Sequence, residues 1–207
     1  MALPKRDGSR LLLVEGADDK GVCVAFLRED GVEDVTVAVK GGYETLRESI
    51  AAEIRVSRRT HLGIVVDANG DLAARWQSVR DAVAPLGYVL PDLPQVGGTV
   101  VAADGQPRLG LWLMPDNASP GAVEDFIAAL VPVSDTLLGR AREAVAAIPE
   151  SERAFKPNYR TKAEIHTWLA WQEEPGRPMG LAVTKQYFDA ANPVAQTFAA
   201  WLRRWLG

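Results

Sequence analysis

The sequence predicts an α/β fold, with a mostly parallel central sheet flanked by helices and followed by a helical C-terminal extension. Short apolar runs alternate with stretches of helical spacing as far as residue 87, and this alternation is typical of βαβ units. From about residue 134 onward, the chain has helical spacing interrupted by prolines. We therefore expect residues 1–132 to form an α/β core and residues 133–207 to pack on it, so that the whole is one compact unit.

The first three strands are predicted at apolar, β-branched runs that end near glycine or an acid. They are RLLLVE (residues 10–15), VTVAV (35–39) and LGIVVD (62–67). A helix is expected after each strand, because apolar side chains recur there at helical intervals. The predicted helices span residues 18–29, 43–58 and 72–87. Asp18 stands where the first of them needs an N-cap.

The pattern changes after the third helix. Asp104 and Gly105 separate two apolar runs, at residues 98–102 and 109–114, and this arrangement indicates a hairpin. A further helix is predicted up to residue 131, with serine 119 as its N-cap and proline 120 as its first residue.

The last predicted helix, residues 194–207, has a one-sided apolar stripe. Its members recur at helical spacing along VAQTFAAWLRRWLG: Phe198, Trp201, Leu202 and Trp205. A stripe of this kind usually packs against the body of the protein, and we expect that here. An interface with a partner protein is the alternative.

The composition is close to that of an ordinary soluble globular protein. The chain has 207 residues, of which 47% are hydrophobic and 24% charged, with a net charge of −4. Its single cysteine, Cys23, excludes an intramolecular disulfide and a cysteine-based zinc site. Without a membrane-spanning apolar run or a secretion signal, the chain is expected to be cytoplasmic, with no membrane contact. The net charge argues against attraction of nucleic acid by the whole surface, but not against a local basic groove.

Acidic side chains follow the predicted strands at four places. They are Glu15 with Asp18 and Asp19, Asp67 with Asn69 and Asp71, Asp116 with Asn117, and Glu124 with Asp125. The carboxyl ends of parallel strands meet at one edge of a sheet, so these groups are expected to converge there. Converging carboxylates repel one another unless a cation neutralises them. Oxygen ligands without a nearby histidine favour Mg²⁺, Mn²⁺ or Ca²⁺ over zinc.

Structural roles remain the alternative for most of these acids. Asp18 and Asp71 would each cap a helix, and Asp116 would stabilise a turn. Glu124 and Asp125 would interact with the positive N-terminal end of their own helix. Such explanations are weaker for Glu15 and Asp67, which directly follow apolar runs. The stretch DANGDLAARWQS begins like a calcium-binding EF-hand loop, but it lacks the glycine and the glutamate that this loop requires.

Two further stretches carry glycine or positive charge. The turn Lys40-Gly41-Gly42 would let a phosphate approach backbone N–H groups, with a plain loop as the alternative. The stretch FKPNYRTKAE interleaves basic residues with Phe155 and Tyr159, a pattern loosely typical of single-strand binding, and an exposed loop is the alternative. The sequence contains neither a phosphate-loop motif nor a nucleophile-elbow motif.

The order of these features resembles the TOPRIM domain, which bacterial-type primases, topoisomerases, recombination proteins and OLD-family nucleases share. The resemblance is carried by LLLVEGADDKGVCVAFL, VTVAVKGGYETLRESI and LGIVVDANGD, and it covers about residues 10–130. More closely, VEGADDKGV, IVVDANGD, GLWLMPDNASPGAVEDFI and HTWLAWQEEPGRPMGLAV together resemble an uncharacterised bacterial family of TOPRIM-like proteins, a domain of unknown function. That closer resemblance covers nearly the whole chain.

The resemblance implies a Rossmann-like sheet whose acids bind Mg²⁺ or Mn²⁺ for phosphoryl transfer on nucleic acid. Glu15 and Asp67 match the glutamate and the first aspartate of the family, and they are the candidate catalytic residues. The candidate metal ligands are Glu15, Asp19, Asp67, Asn69, Asp71, Asp116 and Glu124. Asn69 stands where a second aspartate is expected and brings no charge, and Asp71 is the candidate that compensates.

The expected function is that of a nuclease-like, Mg²⁺-dependent enzyme. Phosphate contacts are assigned to Lys20, Lys40, Gly41 and Gly42, with Arg75, Lys156, Arg160 and Lys162 as further candidates. Related nucleases often act with an ATPase, so the expected partners are nucleic acid and a separate ATPase chain, and oligomerisation is open. The alternative is a non-catalytic metal-binding, nucleotide-binding or interaction module that keeps the scaffold. Asn69, the acidic net charge and the Trp-rich C-terminal segment favour this alternative.

Overall fold

Five strands form one sheet in the computed structural model, which describes residues 8–184, 187–188 and 191–207. The strands are β1 (Arg10–Val14), β2 (Val35–Val39), β3 (His61–Asp67), β4 (Thr99–Val101) and β5 (Arg108–Met114). Their order across the sheet is β2-β1-β3-β5-β4. All neighbours run parallel except β4, which pairs antiparallel with β5. The predicted α/β fold, its mostly parallel sheet and the hairpin are confirmed.

Eight α-helices accompany the sheet in the described part of the chain. They are α1 (Ala17–Glu29), α2 (Tyr43–Ile54), α3 (Leu72–Val83), α4 (Val123–Leu130), α5 (Leu137–Ala146), α6 (Arg160–Ala170), α7 (Met179–Thr184) and α8 (Pro193–Leu206). Short 3₁₀ turns follow α3 and precede α6. None of the described helices is long and apolar enough to cross a membrane.

The sheet is buried on both faces. Helices α2 and α3 pack on one face, and α1, α4 and α8 pack on the other. Successive residues of β1 face opposite layers: Leu13 belongs to the first core and Leu12 to the second, and both are fully buried. Burial on both faces explains why the strands read as continuous apolar runs rather than as alternating ones.

The last helix packs on the sheet through two tryptophans, as its apolar stripe predicted. Trp201 and Trp205 are fully buried, and Trp205 lies against two strand positions that lack side chains. A Cβ atom on Gly110 would lie 2.6 Å from Cδ1 of Trp205, and one on Gly63 would lie 2.9 Å from Cζ2 of the same ring. Glycine at these two positions is therefore what allows the indole to lie directly on the strand backbones.

Two predicted helix starts are wrong. Helix α4 begins at Val123 rather than near residue 119, because the backbone N–H and the hydroxyl of Ser119 both bond to the Asp116 carboxylate and hold that segment in a turn. Helix α1 begins at Ala17, so Asp18 lies inside its first turn and does not serve as N-cap.

Substitution of Gly110 by alanine tests the packing of α8. We expect Gly110→Ala to lower the free energy of unfolding by about 1–3 kcal/mol, because the added methyl group would overlap the Trp205 ring. Gly139→Ala is the matched control: it lies inside α5, with no atom within 4 Å of an added Cβ, and should raise stability by about 0.5–1 kcal/mol. Urea unfolding followed by far-UV circular dichroism measures both, and equal midpoints for Gly110→Ala and wild type would contradict the contact.

Candidate functional site

A pocket of about 480 Å³ lies at the carboxyl ends of β1 and β3, between the first turns of α1 and α4. Five carboxylates and one ammonium group line it: Glu15, Asp18, Asp19, Asp67, Glu124 and Lys162. We call it the acid pocket. Because β1 and β3 are parallel neighbours, the residues that follow Val14 and Val66 reach the same edge of the sheet. The predicted convergence of acids from separate stretches is thus present for four of the candidate ligands.

Backbone hydrogen bonds hold the two candidate catalytic residues. The N–H of Asp67 donates to Oε1 of Glu15 at 2.9 Å. The N–H of Val123, the first residue of α4, donates to Oδ1 of Asp67 at 3.1 Å. These two bonds tie the ends of β1 and β3 to the start of α4, so the positions of both carboxylates are fixed by the fold.

Asp19 is the most deeply buried acid of the pocket, with 4% of its surface exposed. The N–H of Gly16 donates to its Oδ2 at 3.0 Å. Its Oδ1 is also buried and has no hydrogen-bond partner in the described structure. An unpaired buried carboxylate oxygen is costly and calls for a ligand or an ion.

Burial makes full ionisation of the pocket unfavourable. Burial, together with the neighbouring Glu15, raises the pKa of Asp19 to about 7. Burial, with the charges of Asp19, Glu15 and Glu124, raises the pKa of Asp67 to about 8. Burial also raises the pKa of Glu15, although the Asp67 N–H and the charge of Arg75 oppose the shift. A cation in the pocket would reverse these shifts, because it favours the ionised form of every neighbouring carboxyl.

Lys162 brings a positive charge to the rim of the pocket from the C-terminal segment. It lies on α6, and its Nζ donates to Oε1 of Glu124 at 2.7 Å and to Oδ2 of Asp18 at 3.2 Å. Burial alone would lower the pKa of Lys162, but its bonds to Glu124 and Asp18 outweigh that effect and raise the pKa. From the sequence, Lys162 was predicted only as a phosphate contact, and its pairing with these two acids was not predicted. Its partners lie 38 and 144 residues away, where no spacing pattern would reveal them.

Three candidate metal ligands lie outside the residues that line the pocket: Asn69, Asp71 and Asp116. Asn69 is exposed and has a positive φ of 54°, a conformation that asparagine tolerates, and its backbone pairs with Gly121. Asp71 caps α3, because its Oδ1 accepts from the N–H of Ala74 at 2.9 Å. The Asp116 carboxylate accepts the local bonds of its turn, as described above. Each of the three has a structural role in the described fold.

Of the four predicted phosphate contacts, two line the acid pocket and two lie outside its lining. Gly41 and Gly42 line the pocket with positive φ values of 79° and 124°, but their N–H groups donate to the carbonyl of Glu15 at 3.0 and 3.1 Å. These amides therefore fix Glu15. Lys40 lies outside the lining, and its Nζ is 2.8 Å from a glutamate of α2. Lys20 is exposed on α1 and also lies outside the lining.

The donor set fits a hard divalent cation. Every side chain that offers a ligand atom in the pocket does so through a carboxylate oxygen, which is the chemistry that Mg²⁺ and Mn²⁺ prefer. Across the described ranges, no three histidine, cysteine, aspartate or glutamate side chains are arranged so that they could hold a metal ion together. The fit therefore rests on the oxygen donors and on the unpaired Oδ1 of Asp19.

The raised pKa of Asp67 predicts that the metal-free protein loses stability as the pH rises. Between its ordinary pKa of 3.8 in the unfolded chain and about 8 in the native state, the native protein holds a proton that the unfolded chain has released. The free energy of unfolding should therefore fall from about pH 4 to about pH 8. Asp67→Asn removes this titration and keeps an oxygen for the Val123 N–H, so its melting temperature should fall less over that range.

Thermal unfolding in EDTA at several pH values measures this difference. Asp71→Asn is the matched control, since Asp71 only caps α3 outside the pocket, and its pH dependence should follow that of the wild type. If the melting temperatures of Asp67→Asn and wild type fell equally with pH, Asp67 would not be desolvated in the native protein.

Residues 9–207, which include every described strand and helix and the whole acid pocket, match the model of one family, described as a protein of unknown function (DUF3226). No curated protein and no solved structure matches the chain. The predicted likeness to an uncharacterised family over nearly the whole chain is confirmed at this level. Because the match spans almost all of the sequence, the chain belongs to the DUF3226 family.

Proposed function

We propose that this protein is a TOPRIM-like, Mg²⁺- or Mn²⁺-dependent phosphoryl-transfer enzyme that acts on nucleic acid in the manner of a nuclease. One observation carries the proposal: Glu15, Asp19 and Asp67 line one pocket, where Oδ1 of Asp19 is buried without a partner in the described structure. The order of motifs along the chain supports the TOPRIM relation, since the glutamate-glycine, glycine-turn and aspartate stretches all contribute to that pocket.

The chemistry assigns distinct roles to the residues of the pocket. Glu15, Asp19 and Asp67 would hold the divalent ion, with Glu124 beside them. The bound ion would supply Lewis-acid polarisation of a phosphoryl oxygen. Lys162 supplies a positive charge at the rim of the pocket, where it would attract the negative charge of a phosphate group.

The structure adds one observation in favour of the non-catalytic alternative. The ammonium of Lys162 already neutralises Glu124 and Asp18, so a part of the cation requirement is met within the chain itself. The tryptophan-rich segment no longer supports an interaction module, because Trp201 and Trp205 are fully buried in the protein's own core. The balance between the two functions thus depends on whether a divalent ion enters beside Lys162.

Cleavage assays test the proposed enzyme directly. We expect purified protein with Mg²⁺ or Mn²⁺ to cleave labelled DNA or RNA, and EDTA to stop the reaction. Glu15→Gln and Asp67→Asn should lower the rate by about 100-fold or more, because each removes a charge that positions the ion. Asp116→Asn is the matched control, since Asp116 lies outside the pocket lining, and its activity should remain. Cleavage by Asp67→Asn at the wild-type rate would refute the proposed enzyme.

Substitution of Lys162 tests whether the ion and the ammonium share the pocket. Lys162→Gln removes the positive charge beside Glu124 and Asp18, so the pocket becomes more negative. The Kd for Mg²⁺ measured by isothermal titration should fall about tenfold, equivalent to about 1.4 kcal/mol. Lys156→Gln makes the same chemical change outside the pocket lining and should leave the Kd unchanged. Weaker Mg²⁺ binding by Lys162→Gln would place the ion elsewhere.

A further inference from the structure

A second pocket adjoins the acid pocket and has a different character. Its volume is about 490 Å³, and its surface is mostly apolar. Five residues line it: Phe155, Tyr159, Lys162, Ala163 and His166. We call it the aromatic shelf. Lys162 lines both pockets, so the two meet at that side chain.

One face of α6 builds most of the aromatic shelf. Tyr159 directly precedes the helix, and Lys162, Ala163 and His166 follow at intervals of three and four residues, the spacing of one helix face. The same face that directs Lys162 to the acids therefore presents rings beside it. Tyr159 keeps 50% of its surface exposed, and His166 is exposed as well. Both rings are exposed to solvent, so a flat ligand could stack on them.

The segment that carries the aromatic shelf is rich in basic residues, in contrast to the chain as a whole. Two of these residues already have acidic partners: Arg160 pairs with Glu164, and Lys162 pairs with the acids at the rim of the acid pocket. Residues 153–162 (RAFKPNYRTK) contain four lysines and arginines and no acid, within a protein of net charge −4. The guanidinium of Arg153 lies 5.8 Å from the ring centroid of Phe155. Aromatic rings interleaved with cations match a strand of nucleic acid, whose bases stack and whose phosphates need positive charge.

We propose that the aromatic shelf is a base-binding subsite for single-stranded nucleic acid, and that it stacks a base whose neighbouring phosphate faces the acid pocket at Lys162. This proposal rests on the proposed function, because it uses the acid pocket as the phosphate site. A single strand is favoured over a duplex, because only an unpaired base can offer its face to a ring. The aromatic shelf therefore narrows the proposed substrate from nucleic acid in general to single-stranded nucleic acid.

Fluorescence anisotropy of a labelled oligothymidylate tests the subsite without any cleavage. It is measured once in EDTA and once with Ca²⁺ in place of Mg²⁺. Tyr159→Ala should weaken binding about tenfold or more, the effect of losing one stacked base, while Tyr159→Phe keeps the ring and should bind like the wild type. Trp171→Ala is the matched control, since Trp171 is a comparably exposed aromatic (43%) outside the shelf. Its affinity should not change.

The outcomes separate the aromatic shelf from the proposed enzyme. Loss of binding in Tyr159→Ala, with no cleavage by wild type under any metal, supports the shelf and refutes the enzyme. Cleavage by wild type with unchanged binding and KM in Tyr159→Ala refutes the shelf and leaves the enzyme standing. Two further results would overturn the shelf: a duplex of equal length that competes as well as the single strand, and a wild type that binds the oligonucleotide in neither buffer.

Discussion

The parallel register of β1, β3 and β5 is the constraint on which the rest of the structure depends. Val14 pairs with Val65, so the next residue, Glu15, lies close enough to the end of β3 to accept the N–H of Asp67. Asp67 in turn pairs with Met114 at the end of β5. The pairing that buries the apolar runs therefore also brings the acids that follow them to one edge. This chain cannot form its core without also forming the cluster of carboxylates.

The fold offsets the cost of that cluster only in part. Backbone N–H groups of Gly16, Asp67 and Val123 each donate to one carboxylate oxygen, and Lys162 neutralises two further acids at the rim. The raised pKa values of Asp19 and Asp67 show that these donors do not compensate for burial and mutual repulsion. An imbalance of charge at a strand-end pocket is what a cation-dependent site requires.

The sequence was sufficient to predict the strands, the parallel sheet and the acids at strand ends, because each of these follows from local pattern. It did not separate the four acids of the pocket from Asn69, Asp71 and Asp116. A carboxylate that accepts bonds from nearby backbone, as in Asp71 and Asp116, has the same local sequence as one that faces a ligand. The predicted start of α4 was wrong for a related reason. The Asp116 carboxylate accepts a hydrogen bond from the N–H of Ser119, so this apparent N-cap belongs to the preceding turn. Contacts such as Lys162 with Asp18 have no local signature at all.

The C-terminal extension is part of both the core and the candidate site. Helix α8 covers one face of the sheet by placing Trp205 on Gly63 and Gly110, and helix α6 delivers Lys162 to acids of α1 and α4. Both contacts join residues beyond 133 to the strands and helices that carry Glu15 and Asp67. Because α6 also carries most of the aromatic shelf, its position relative to the sheet would set the distance between a base on the proposed subsite and the acid pocket. The segment that closes the core is therefore the same segment that would select the substrate.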